Sequence, residues 1–404
     1  WLAQRRLREL AIQEIRRGHE RHGLLVDTIQ GAEIIQSCGG GWRFADTWRT
    51  ITATMADSSL KSKLISSTVT TTTGTLGTIA YVAAMIAGVT QIEAGVLTTG
   101  GLVGCTILGG RVIGPIAQSI QTLVQWQYVR ESLAMVNRLL ELETDRRDDQ
   151  NLMIPDYLAD TLDLEAVRFA YPTSPLQRVD IKRLSFKAGD RVVLLGANGC
   201  GKSTLLKVAA GLYKPSEGQV RLGGADLWEL DPQVINERIG YLPQDVHLFK
   251  GTLRTNMALG GGVNDSRLLE VAQLLGIDRV AAENPRSMDL EISEGGQGLS
   301  GGQRQLVGLA RVFLASPRVW LLDEPSASLD MESENNILEA INSWARPTDI
   351  VIIATHRPRL TSLANRVIIM NHGQIVADGK PEDVLQKRPV KQNVPAGNAI
   401  AVRN

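Results

Sequence analysis

The stretch that decides the fold of the second half of this chain is Gly196-Ala-Asn-Gly-Cys-Gly-Lys-Ser-Thr204. It fits the pattern G-x-x-x-x-G-K-[ST], with the apolar strand Arg191 to Leu195 before it and an amphipathic helical stretch after it, which is the context a phosphate-binding loop requires. Gly196, Gly199 and Gly201 let the backbone curl so that its N–H groups point at phosphate oxygens, at the positive end of the following helix. Lys202 is then placed to neutralise the β- and γ-phosphates and Ser203 to ligate magnesium, with Asn198 and Thr204 counted among the residues that hold the nucleotide. Cys200 takes a variable position of the loop. Its thiol is incidental to catalysis, although its nearness to Lys202 and a helix N-terminus would also suit a reactive thiolate.

A second element is needed before a phosphate loop means hydrolysis. The apolar run Val319-Trp-Leu-Leu322 ends in Asp323-Glu324, carboxylates at the C-terminal edge of a buried strand, where doubly wound sheets place their nucleotide sites. Asp323 is the expected magnesium-side carboxylate, and Glu324 the expected base that orients or activates the attacking water. A helix-capping acidic pair is the structural alternative. Short apolar strands alternate here with longer amphipathic segments, the texture of an α/β domain.

Leu299-Ser-Gly-Gly-Gln303 separates this chain from other phosphate-loop proteins, and it resembles, letter for letter, the signature sequence of the ATP-binding-cassette family. Ser300 offers a hydroxyl, Gly301 and Gly302 expose backbone N–H groups, and the helix starting near Gln303 adds its dipole. A glycine-rich helix cap with no ligand is the plainer reading of the same residues. The resemblance implies that this loop closes on the γ-phosphate of ATP bound to a second copy of the subunit, so that a homodimer sandwiches two nucleotides. It also implies roles for single positions. Gln244, in Tyr-Leu-Pro-Gln, resembles the glutamine that links magnesium and attacking water to the membrane domain. His356, after the apolar run Ile350 to Ala354, resembles the switch histidine on the γ-phosphate; a satisfied surface or core group is the bland reading of a lone histidine. Ser328-Leu-Asp330 resembles the loop across the dimer interface, which brings Asp330 to the nucleotide. Tyr171, in Phe-Ala-Tyr, resembles the aromatic that stacks on adenine, against the alternative of a hairpin core tyrosine.

Bulk properties bound the rest. The 404 residues leave room for two domains, and 43% hydrophobic content allows a full core. Lys and Arg number 43 and so do Asp and Glu, which leaves no basic excess for a nucleic-acid partner. Cys38, Cys105 and Cys200 form neither a disulfide framework nor a zinc pattern, in keeping with a reducing compartment.

The first part of the chain reads as membrane. No charged residue occurs between Lys63 and Glu93, more than the roughly 20 residues a helix needs to cross a bilayer. Spans are expected at about 64–89 and 96–116. The first is rich in hydroxyls, Ser66, Ser67, Thr68 and Thr70 to Thr73, which a helix can bond back to its own carbonyls or to neighbours. The short connection Thr90 to Gly95 makes the two antiparallel neighbours. Arg5, Arg6, Arg8, Arg16, Arg17 and Arg21 before them, and Arg130, Arg138, Arg146 and Arg147 after, put both outer ends in the cytoplasm. A soluble helical domain with two buried hairpin helices is the alternative. Arg111 is expected to face the bundle or a wet pathway, or to snorkel.

The fold expected is therefore a partial α-helical membrane domain, about two transmembrane helices with long cytoplasmic extensions over 1–143, joined by a linker at 144–160 to an α/β phosphate-loop nucleotide-binding domain over 161–387. A disordered tail is expected over 388–404. The membrane part resembles the end of an exporter's transmembrane domain, with Gly31-Ala-Glu-Ile-Ile-Gln-Ser-Cys38 where a coupling helix would lie; an ordinary amphipathic turn fits as well. Glu294 to Gln303, Thr355-His-Arg-Pro-Arg359, Ile375 to Gly379 and Ile107-Leu-Gly-Gly-Arg111 resemble the bacterial type I secretion branch. That resemblance implies a multi-pass inner-membrane protein with a cytoplasmic nucleotide-binding domain, a membrane-fusion adaptor, an outer-membrane channel and a polypeptide cargo. Exporters of this shape have six membrane helices per subunit, so the chain, opening on Trp1, is expected to be a fragment that hydrolyses ATP without transporting by itself. The rivals are a lipid or drug exporter, which small hydrophobic compounds would stimulate, and a soluble regulatory ATPase, which would need no detergent.

Overall fold

An uncharged, hydroxyl-rich run stays helical in an apolar medium at low cost when its hydroxyls find partners on the helix itself, and the first of the two units shows this for five of its threonines. The computed structural model describes residues 2–142, 144, 152–172 and 177–385. The chain divides into Trp1–Thr144 and Asp145–Asn404. The expected tail lies outside the described residues, and so does most of the first half of the expected linker.

The first unit is helical: α1 (Leu2–Gln30), α2 (Ala32–Ser37), α3 (Gly41–Glu93) and α4 (Thr99–Leu140). At a rise of 1.5 Å per residue, the 53 residues of α3 extend for roughly 80 Å, far more than the roughly 30 Å of a bilayer core. Within its uncharged stretch the hydroxyls of Thr68, Thr70, Thr73, Thr75 and Thr78 each donate to the carbonyl four residues back, at 2.8 to 3.1 Å. Among the described residues, α3 is the one helix long and apolar enough to cross a membrane. The second expected span is only partly helical where it starts: Val96 and Leu97 are loop, and Thr98 is the N-cap of α4, its hydroxyl accepting from the Gly101 amide at 3.2 Å. Gly88 on α3 is buried where a Cβ would strike Leu102 of α4, the small-residue contact that lets two apolar helices approach closely. Apolar side chains such as Leu76, Ile79, Ile86, Val103 and Ile107 remain exposed, a surface suited to lipid or further helices and not to water. Arg111 is exposed on α4.

The second unit is α/β. An antiparallel sheet in the order β2-β1-β4-β5 is made of β1 (Thr161–Ala170), β2 (Gln177–Lys187), β4 (Glu217–Leu222) and β5 (Ala225–Asp226). The main sheet runs β12-β11-β3-β10-β9-β6, from β12 (Gln374–Gly379), β11 (Arg366–Asn371), β3 (Arg191–Leu195), β10 (Ile350–Ala354), β9 (Val319–Asp323) and β6 (Ile239–Leu242). Its strands are parallel except β12. The central strands are covered on both faces, which is why Val319 to Leu322 and Ile350 to Ala354 read as unbroken apolar runs. Neighbours along each strand feed opposite cores: Leu321 and Ile352 belong to one, Leu322 and Ile353 to the other.

Helices α5 (Lys202–Ala209) and α6 (Pro232–Arg238) follow β3 and β5, and α7 (Leu253–Met257), α8 (Asp265–Leu274) and α9 (Ile277–Ala282) lie between β7 (Gly251–Thr252) and its partner β8 (Glu291–Ile292). Helices α10 (Gly301–Ala315), α11 (Met331–Trp344) and α12 (Pro381–Leu385) complete the unit. The register decides where chemistry can occur. Ala354 pairs with both Asp323 and Leu194, and Leu242 pairs with Leu322, so β3, β6, β9 and β10 all end at one edge.

Phe313 of α10 is fully buried, edge-on to Trp320 of β9 with ring centroids 5.1 Å apart, and 6.0 Å from Trp344 of α11. Phe313→Ala is expected to destabilise the second unit by about 3–5 kcal/mol in urea unfolding, because three elements converge on that ring. A loss under about 1 kcal/mol would mean this aromatic cluster is not a keystone of the core.

Candidate active site

The edge is filled from the phosphate loop outward. Gly201 has a φ of 110° and lies against the carbonyl of Arg178, where a Cβ has no room, so glycine is required there on both counts. Lys202 is 6% exposed, and its ammonium donates to the carbonyls of Gly196 at 2.8 Å and Ala197 at 3.3 Å. A half-open cavity of about 270 Å³ is lined by Tyr171, Arg178, Gly199, Gly201, Lys202, Ser203 and Thr204. Tyr171 is half-buried, 3.4 Å from the Thr204 hydroxyl, and edge-on to Phe169 and Tyr213 at 5.0 and 5.4 Å, so it is at once core aromatic and cavity wall. Asn198 is exposed on the loop and does not line the cavity.

Asp323 is 1% exposed, and neither carboxylate oxygen completes a hydrogen bond. Burial pushes its pKa above the ordinary carboxylate range; the nearby Ser203 hydroxyl opposes the shift, Glu324 adds to it, and Lys207 and Lys202 oppose it. A buried carboxylate with unspent lone pairs beside a hydroxyl suits a hard divalent cation. Gln244 is exposed two residues beyond the end of β6, at the same edge of the sheet.

Glu324 is held in the left-handed region at φ 49°, an uncommon conformation for a residue with a Cβ. Its amide donates to the Ala354 carbonyl at 2.8 Å, and its own carbonyl accepts from the Gln305 amide nitrogen at 3.2 Å. Its side chain is 8% exposed, with Oε1 2.9 Å from His356 Nδ1 and Oε2 accepting from the Thr355 hydroxyl at 3.3 Å. That contact engages Nδ1 of an imidazole whose side chain is 59% exposed, so Nε2 is the nitrogen Glu324 does not occupy.

The loop Ser300 to Gln303 is elsewhere. Ser300 is the N-cap of α10 in a reciprocal box: its hydroxyl accepts from the Gln303 amide at 3.2 Å, and its amide donates to Gln303 Oε1 at 2.8 Å. The Ser300 hydroxyl keeps its own hydrogen to donate. Gly301 and Gly302 pack on Ser328 and Leu329, and none of Ser300 to Gln303 lines the phosphate-loop cavity. Asp330 caps α11 by accepting from the Ser333 amide at 2.8 Å, which holds its pKa below the ordinary value. The structure therefore gathers the phosphate loop, Asp323, Glu324 and His356 at one edge, and does not bring the Ser300 loop into the phosphate-loop cavity.

Three contributors escaped the sequence reading. Thr355, Gln305 and Arg357 all bond at or next to Glu324; Thr355 and Arg357 lie in a segment noted only for its resemblance, with no role given, and Gln305 gave its signal as a polar residue in the apolar stripe of α10.

A raised carboxylate pKa makes stability fall as pH climbs from about 4 through the raised native value, since the folded state holds the proton longer. Without nucleotide or divalent cation, Asp323→Asn is expected to melt above the unsubstituted chain at pH 8 and to lose that advantage toward pH 4. Identical melting profiles of the two proteins would discount burial as the cause.

Residues 179–327 match the family model described as ABC transporter, and residues 1–116 match that of the ABC transporter transmembrane region. The leukotoxin translocation ATP-binding protein LktB of Mannheimia glucosida is 28% identical over 381 residues, 94% of this chain and 53% of the relative. The toxin RTX-I translocation ATP-binding protein of Actinobacillus pleuropneumoniae is 29% identical over 381 residues, with the same 94% and 53% coverage. The chain thus spans about half the length of the curated relatives it matches. In fold it is similar to a bacterial Atm1-family ABC exporter solved with ATP bound, at a TM-score of 0.85 and 23% identity over 95% of this chain and 68% of the other. With the phosphate loop, the strand-end carboxylates and both family matches in one polypeptide, the chain belongs to the ABC transporters, carrying sequence of their transmembrane region and of their ATP-binding domain.

Proposed function

We propose that this chain hydrolyses ATP to drive export of a polypeptide across a bacterial inner membrane, as part of a type I secretion system. The observation that carries the hydrolytic part is the Glu324–His356 contact at 2.9 Å, on the sheet edge that also bears the phosphate loop. Lys202, released from the carbonyls of Gly196 and Ala197, meets the β- and γ-phosphates, while Gly199, Gly201 and Thr204 cradle them and Tyr171 stacks on the base. Ser203, Asp323 and Gln244 would hold magnesium, which would supply positive charge to the phosphate oxygens. Glu324 accepts a proton from the attacking water, and His356 contacts the γ-phosphate through the nitrogen that Glu324 does not occupy.

Two copies complete each other's sites. Ser300, Gly301, Gly302 and Gln303 of one subunit close on the γ-phosphate held by the other, with Asp330 near the seam, which accounts for a signature-like loop that does not line the phosphate-loop cavity of its own chain. The short helix α2, none of whose residues is buried, serves as the coupling element of a homodimeric multi-pass protein with its nucleotide-binding domain in the cytoplasm. The relatives are by name toxin translocation proteins, which supports a polypeptide cargo and, with it, a membrane-fusion adaptor and an outer-membrane channel.

Glu324→Gln is expected to lower ATP turnover at least about 100-fold, the usual scale of a lost general base; turnover near that of the unsubstituted protein would end the catalytic assignment. Ser300→Arg is expected to abolish turnover while leaving nucleotide binding at the phosphate loop intact. Full activity in that variant would rule out shared sites.

A further inference from the structure

One buried charge pair next to the reacting groups has no part in the chemistry just proposed. Arg357 is half-buried, immediately after His356. Its Nη1 donates to Glu334 Oε2 at 3.1 Å and its Nη2 to the Ala327 carbonyl at 3.1 Å. Glu334, in the first turn of α11, is 3% exposed, and its other oxygen accepts from the Ser326 hydroxyl at 3.1 Å. On the other side, the Arg357 amide donates to the Thr355 hydroxyl oxygen at 3.0 Å, and that hydroxyl donates to Glu324 Oε2. A continuous run of bonds therefore leads from Glu334 through Arg357 and Thr355 to Glu324, whose other oxygen meets His356.

This arrangement pins Glu324 from both directions along the chain. Ser326 and Ala327 belong to the segment that follows Glu324, whereas Thr355 and His356 belong to the turn that leaves β10. A residue in the left-handed region keeps that conformation only where its surroundings over-determine it. Arg357 joins the two segments that do so, and its planar fork suits two acceptors at once, as a lysine ammonium on a flexible stem does not. Glu334 in turn would be costly to bury without the guanidinium.

We infer that Arg357 and Glu334 are a positioning pair, which holds the Thr355–His356 turn against Glu324 and so sets the orientation of the reacting carboxylate and imidazole without touching the nucleotide. This rests on the reading of Glu324 and His356 as the reacting groups. Neither Arg357 nor Glu334 lines the phosphate-loop cavity, so the pair bears on turnover and not on affinity.

The test uses the full chain in detergent, with turnover measured across ATP concentrations and folding checked by thermal melting. Arg357→Met is expected to lower kcat about tenfold while KM for ATP stays within about twofold, the pattern of lost orientation. Glu334→Gln shifts kcat the same way, and the double variant is no slower than the slower single one, because the two act as a unit. Arg357→Lys, which keeps the charge and the fold, recovers only part of the rate. A kcat within about twofold of the unsubstituted protein in folded Arg357→Met or Arg357→Lys, a KM that rises in step, or single effects that multiply in the double variant would each overturn the pairing. Glu324→Gln separates the two readings: if it turns over normally the catalytic reading falls, whereas if it is inactive and Arg357→Met is fast, the positioning role alone falls.

Discussion

A carboxylate that water cannot reach is the constraint around which the second unit is organised. Asp323 ends a strand buried on both faces, and its two oxygens have spent none of their lone pairs. Burial favours its protonated form, and what opposes that comes from one helix: the Ser203 hydroxyl and the charges of Lys207 and Lys202 on α5. The lysine that would offset it is meanwhile bonded to the carbonyls of its own loop. On the proposed reading of Lys202 and Asp323, a nucleotide bound with its cation would relieve both at once.

The parts of this design that were legible in the sequence are those that spacing alone determines. The phosphate loop, the strand ending in Asp323-Glu324 and the strand before His356 each lie within a few consecutive residues, and their periodicity states that they are buried strands or their exits. Ser300-Gly-Gly-Gln303 carries the S-x-x-Q spacing of a capping box, so even its local hydrogen bonds could have been read. What could not be read is contact between side chains far apart in the chain. Arg357 and Glu334 are 23 positions apart, and Gln305 meets Glu324 across 19. Nothing local states these pairings: the register of β9 beside β10 brings Arg357 toward the segment after Glu324, and the packing of α10 against the end of β9 brings Gln305 to Glu324.

The helical unit was legible for a different reason. A long gap between charges is a statement about solvent, and the length of α3 follows from it. The start of the second span was less exact, since Thr98 begins the helix by a capping bond that hydropathy does not register. A short helix does stand at Ala32–Ser37, within the Gly31–Cys38 stretch that either a coupling helix or an ordinary amphipathic turn would occupy.

The threonines of α3 have a mechanical consequence. Each hydroxyl from Thr68 to Thr78 that bonds to the carbonyl one turn back has its donor occupied by its own helix. Such a helix carries its own polar partners with it when it moves. For these five threonines, rolling or sliding past a neighbour breaks no hydroxyl bond that must be remade on the far side. A sequence that looks too polar for a membrane is, in this form, a lubricated rod.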